Sequence, residues 1–212
     1  MRLLFGPITA TLLCLAPAIA PAQQAGGADR PTLPYAEVER GGWVASNLGA
    51  VFYFDLPGAG AEFSSGALIG IEAGYDLTSR LQAGVVVWGQ AVGAPVTYEG
   101  ITDPAKDPKD ARGDFYSLLA GPSLRFAFAD FADDNGVKRT FLYGRVAGGL
   151  ALNRPVGILE ENGLFVNTAV GVEYFTRLRH FSVGIETGGI GMFLPDLAAL
   201  GVTVLPHVTY TF

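Results

Sequence analysis

From Gly42 to the last residue, large aliphatic and aromatic side chains recur at every second position, in one segment after another. A repeat of two is the signature of an extended strand whose faces meet different surroundings. Helical spacing is scarce. In "ALIGIEAGYDL", Ala67, Ile69, Ile71, Ala73, Tyr75 and Leu77 share one face, opposite Leu68, Gly70, Glu72, Gly74 and Asp76. Val85 and Val87 oppose Gln82, Gly84, Val86, Trp88 and Gln90. Leu118, Leu124, Phe126 and Phe128 oppose Ser117, Ser123 and Arg125. Leu142, Val146 and Leu150 oppose Tyr143, Arg145 and Ala147. Val166, Val170, Val172 and Tyr174 oppose Asn167, Gly171 and Glu173, and Phe181, Val183 and Ile185 oppose His180, Ser182, Gly184 and Glu186. The first segment, Gly42 to Phe54, alternates more weakly, and the eighth runs to Phe212.

Eight strands of about ten residues is an even count of the length that a tilted strand needs to cross a bilayer. The connections alternate in character. "DLPGAGAEFSS", the stretch Gly93 to Gly113, "NRPVGILEENG" and "MFLPDLAAL" are longer; "TSR" and "TRLR" are tight, and "ADFADDNGVK" is intermediate, with Asn135-Gly136 as its turn signal. Long loops on one rim and short turns on the other predict an all-β fold, an eight-stranded antiparallel up-and-down transmembrane β-barrel.

The charges decide which face is which. Glu72, Arg125, Arg145, Glu173 and Glu186 lie well inside the strands, and all five fall opposite the aliphatic stripe. A basic side chain at the lipid midplane of a barrel costs about 2–4 kcal/mol. The stripe is therefore read as facing lipid, and the five charges as a polar network in the lumen. A soluble sandwich or barrel would reverse the arrangement, apolar inside and charged outside. Here the second face is glycine, alanine, serine and scattered charge, which suits a narrow interior filled by side chains.

The ends agree. Met1 and Arg2 precede "LLFGPITATLLCLAPAIAPA", uncharged until Asp29 and closing in small residues. This predicts a signal peptide over 1–22, cut after Ala22, then a periplasmic linker over 23–40 and the barrel over 41–212. Cys14 is the only cysteine and falls within the signal, so neither disulfide nor thiolate chemistry is expected in the mature chain. The chain stops in mid-strand on "LPHVTYTF". Lipid forbids an open sheet edge, so the last strand must pair with the first. Val204, Val208, Tyr210 and Phe212 then face lipid. Val208, Tyr210 and Phe212 resemble the C-terminal signal that outer-membrane barrels present to the barrel assembly machinery. Pro206 removes a ladder donor, and a bulge near the seam is expected there.

Few residues carry a catalytic pattern. His180 and Ser182 have the His-x-Ser spacing of outer-membrane lipid A deacylases, with Glu173 or Glu186 as a candidate orienting acid. Parity turns both toward the lumen, away from a lipid substrate. His207 also has lumen parity, and two histidines alone make no metal site. "DPAKDPKDARGD" and "DFADDNGVK" lack calcium-loop spacing and read as solvated loops. Tyr75, Tyr116, Tyr174 and Phe212 have outward parity at strand ends, as in an interfacial aromatic girdle. A net charge of −6 argues against nucleic acid. No enzyme activity, metal or cofactor is expected.

"LPYAEVERGGWV" (Leu33 to Val44) and "GVEYFTRLRHFSVGIE" (Gly171 to Glu186) resemble the adventurous gliding motility protein CglE family of myxobacteria. The resemblance implies a scaffold or contact component of the gliding machinery in the cell outer membrane. It would have outer-membrane lipid, the assembly machinery and other gliding-motility envelope proteins as partners. The loop Gly93 to Gly113 would be an outer contact surface and the linker a periplasmic one. The competing readings are a small passive channel, a lipid-modifying enzyme and a soluble barrel holding apolar ligands.

Overall fold

The computed structural model describes residues 38–54, 65–93, 114–154, 162–178, 180–194 and 198–212. The expected signal peptide, the linker up to residue 37 and loop residues 94–113 lie outside the described residues. Eight strands follow in order: β1 (Gly42–Phe54), β2 (Gly66–Asp76), β3 (Leu81–Gly93), β4 (Asp114–Ala132), β5 (Lys138–Arg154), β6 (Gly163–Phe175), β7 (Phe181–Phe193) and β8 (Ala198–Thr211). Every neighbour is antiparallel, and β8 returns to β1 to close the barrel. Closure runs from Trp43 opposite Thr211 to Phe54 opposite Leu200. The N–H of Phe212 donates to the carbonyl of Gly42 at 2.8 Å, so the chain end is tied to the start of β1.

The two faces separate as the alternation requires. Ile69, Val85, Val146 and Val170 are about half exposed or more on the outside. Among the described residues no helix is long and apolar enough to cross a membrane, and the strands carry the apolar surface instead. Tyr75, Tyr116, Tyr174 and Phe212 are exposed near strand ends, where aromatic side chains suit a membrane interface. Trp43 and Tyr53 are buried inside the lumen.

The connections from β2 to β3, β4 to β5 and β6 to β7, with the end of β8, lie at one rim, here the turn rim; the other is the loop rim. In the first turn the Thr78 hydroxyl accepts from the N–H groups of Arg80 (3.1 Å) and Leu81 (2.9 Å). In the second, Gly136 takes φ +77°, a left-handed conformation that suits glycine, and its N–H donates to the Asp133 carbonyl.

Three expectations about local structure change. The stretch "MFLPDLAAL" is mostly strand: β7 continues to Phe193 and β8 begins at Ala198, because Met192 and Ala199 fill the lumen. "ADFADDNGVK" shrinks to a tight turn, since β4 runs to Ala132 with register shifts at Ala127/Ala129 and Phe131/Ala132. Pro206 produces no bulge. The β1–β8 register is the same on both sides of it, Asn47 with His207 and Ala50 with Val204, and Ile185 pairs with it from β7.

Candidate functional site

The lumen is the candidate site, and each charged side chain reaches it from a strand that alternation turns inward. Glu72 (β2), Arg125 (β4), Arg145 (β5), Glu173 (β6) and Glu186 (β7) are all buried. Arg125 and Arg145 occupy directly opposed positions on β4 and β5, a juxtaposition of like charges that is destabilising unless each finds a carboxylate. Each does, on a strand further round the wall. Arg125 Nη1 donates to Glu173 Oε2 at 3.1 Å, with Glu72 Oε2 4.0 Å from Nη2. Arg145 engages both oxygens of Glu186, through Nε at 3.0 Å and through Nη2, which also donates to Asn167 Oδ1 at 2.8 Å.

Hydroxyls use the remaining carboxylate lone pairs. Ser123 donates to Glu72 at 2.5 Å, Ser182 to Glu173 at 2.7 Å and Tyr143 to Glu186 at 3.0 Å. Aromatic faces flank the cations: the Arg125 guanidinium is 4.3 Å from the Tyr143 ring centre, and that of Arg145 is 4.6 Å from Trp88. Parity placed the five charges on one face. It did not indicate the hydroxyl and amide partners Ser123, Tyr143 and Asn167, whose only sequence signal is that they share that face.

Toward the loop rim the filling changes. Val51, Leu68, Leu119, Phe165, Met192 and Leu205 are fully buried, and the Trp88 and Phe165 rings lie 6.1 Å apart. Polar links also run through this layer: Tyr53 donates to Gln90 Oε1 at 2.9 Å, Gln90 donates to the Met192 sulfur at 3.0 Å, and Ser117 donates to Asn153 Oδ1 at 2.7 Å.

The histidines do not assemble a catalytic pair. His180 sits at the turn rim, its Nδ1 2.7 Å from Glu39 Oε2 and 2.9 Å from the Thr211 carbonyl. The Ser182 hydroxyl is directed to Glu173 rather than to an imidazole base. His207 is buried, with Nε2 4.0 Å from Glu173 Oε1. Among the described residues no three metal-ligating side chains converge. The carboxylates of "DFADDNGVK" that are described in contact serve protein cations, Asp130 with Arg80 and Lys138 and Asp133 with Arg139. "DPAKDPKDARGD" lies outside the described residues.

No family model matches the chain, and no curated protein sequence matches it. Among solved structures it is similar to Neisserial surface protein A, with a TM-score of 0.51, 14% identity, and coverage of 81% of this chain and 97% of that one. It is also similar to the outer membrane protein OprG from Pseudomonas aeruginosa, with a TM-score of 0.47, 10% identity and coverage of 84% and 99%. The first likeness carries the fold: this chain is a closed eight-stranded antiparallel barrel of the small outer-membrane kind.

Proposed function

We propose that this protein is a non-enzymatic, structural barrel of the bacterial outer membrane. The observation that carries the reading is the filled lumen. Buried ion pairs with their hydroxyl partners occupy the turn-rim half, and an apolar layer containing Trp88 and Phe165 occupies the other. Small eight-stranded barrels are filled in this way, whereas a channel needs a continuous wet path. Planar-bilayer recordings of the purified protein test it. The reading expects no stable openings. Reproducible single-channel steps would favour the passive channel instead.

A finer proposal is that the barrel serves gliding motility as a scaffold, with other envelope proteins of that machinery as partners. It is supported by the resemblance of Leu33–Val44 and Gly171–Glu186 to the CglE family. The described parts of these two stretches also meet in space: Glu39 contacts His180, and the Arg40 guanidinium lies 5.5 Å from the Phe175 ring. The resembling surface would then be the turn rim, which faces the periplasm in barrels of this kind. Clean deletion of the gene, scored for single-cell gliding, tests this. Lost or slowed gliding is expected; gliding equal to the parent's would remove the motility role and leave the barrel untouched. By its fit to the assembly pattern, the Val208, Tyr210 and Phe212 terminus is proposed as the signal read by the barrel assembly machinery.

A further inference from the structure

A groove of about 480 Å³ opens on the turn rim, between the residues leading into β1, the β2–β3 turn and the β4–β5 hairpin. Three cations from these three segments line it: Arg40, Arg80 and Lys138. Among the described residues of its walls the one carboxylate is Asp130, and both its oxygens are taken. Arg80 Nη2 lies 3.1 Å from Oδ2 and Lys138 Nζ lies 2.9 Å from Oδ1. Asp130 thus holds two cations together without cancelling the third. The Arg80 and Lys138 side chains are 51% and 61% exposed, so both remain accessible from solvent.

Arg40 is positioned differently. Its guanidinium lies 4.9 Å from the centre of the Phe141 ring, which forms part of the groove wall. Among the described residues it lies 4.0 Å from the Asp76 carboxylate, which already accepts from the Gly41 N–H at 3.1 Å and from Gln82 Nε2 at 2.6 Å. The described lining therefore carries three cations against one anion, with two planar guanidinium forks. Such forks match the paired oxygens of a phosphate.

We propose that this groove binds a phosphate group, carried either by a phospholipid headgroup of the adjoining leaflet or by a soluble phosphate ester. The purified full-length protein tests this in two arms. In one, glycerol 1-phosphate is titrated in a non-ionic detergent and followed by calorimetry. In the other, the protein is released from phosphatidylglycerol nanodiscs, and retained lipid is read by native mass spectrometry. R80Q/K138Q is the disabling variant. R177Q, which removes an exposed turn-rim cation outside the groove lining, is the control. Both sets of side chains are exposed, and gel mobility of the folded barrel checks that each variant folds.

Saturable glycerol 1-phosphate binding that weakens about tenfold or more in R80Q/K138Q, and not in R177Q, supports the proposal and assigns a soluble ester. One-to-one retention of phosphatidylglycerol with the same dependence supports it and assigns a lipid. Absence of binding in both arms overturns it. So does an equal loss in R177Q, which would mean nonspecific attraction to a basic rim.

Discussion

Toward the turn rim the lumen is filled by Glu72, Arg125, Arg145, Glu173 and Glu186 with their hydroxyl partners; toward the loop rim it is filled by Val51, Leu68, Trp88, Leu119, Phe165 and Met192. Both halves close the same narrow cylinder, and they depend on different things. The apolar half depends on shape, because dispersion contacts are lost wherever a gap opens. The ionic half depends on pairing, because a buried charge is tolerated only beside its opposite. Loss of one side chain should therefore be felt locally in the first and across a pair in the second.

The largest effect should come from breaking one pair. Glu186→Ala strands the buried Arg145 and should cost about 3–5 kcal/mol in urea unfolding from vesicles. In the apolar half, Leu119→Ala leaves a cavity beside Trp88 and should cost about 2–5 kcal/mol, depending on how far the walls relax. The comparison sharpens with Arg145→Leu/Glu186→Leu. Replacing both partners removes the stranded charge, so the double variant should be more stable than Glu186→Ala by about 2 kcal/mol or more. A double variant as unstable as the single one would mean that the ionic half is held by shape too.

The smallest effect belongs outside the lumen. The Asp133 carboxyl at the β4–β5 turn is held below the usual carboxylate range, first by the Val137 N–H and also by Arg139 and the Asn135 N–H. A carboxyl with a depressed folded pKa contributes stability above its unfolded value near 4, and loses that contribution as pH falls through the folded one. Asp133→Asn should therefore flatten the acid end of the stability profile slightly and leave pH 7 to 9 unchanged in slope. An unchanged acid limb would show that the turn does not contribute.

The contrast between the halves was only partly legible in the sequence. Alternation put Glu72, Arg125, Arg145, Glu173 and Glu186 on one face, because parity within a strand needs no knowledge of register. Partners were not legible. Arg145 reaches Glu186 on β7 and Arg125 reaches Glu173 on β6, two strands away in each case. That choice depends on strand tilt and stagger, which period two does not encode. The ends of β4 and β7 were misjudged for related reasons. The register shift at Ala127/Ala129 moves Phe131 out of phase with Phe126 and Phe128, so strict parity stops short there. At β7, Pro195 and the small residues after it resemble a long loop, while Ile190 and Met192 are needed to fill the lumen. The turn-rim groove was invisible for the same reason: Arg40, Arg80 and Lys138 are brought together only by barrel closure.

Whichever half dominates stability, the barrel must present its aliphatic stripe to hydrocarbon. Spin labels on cysteines placed at Val146 and Val170, with Cys14 replaced by serine, read this directly in vesicles. Both positions are outward and about half exposed. Collisions with dissolved oxygen should exceed those with a water-soluble nickel chelate at both sites. Nickel collisions exceeding those of oxygen at both would place the stripe in water and contradict the account.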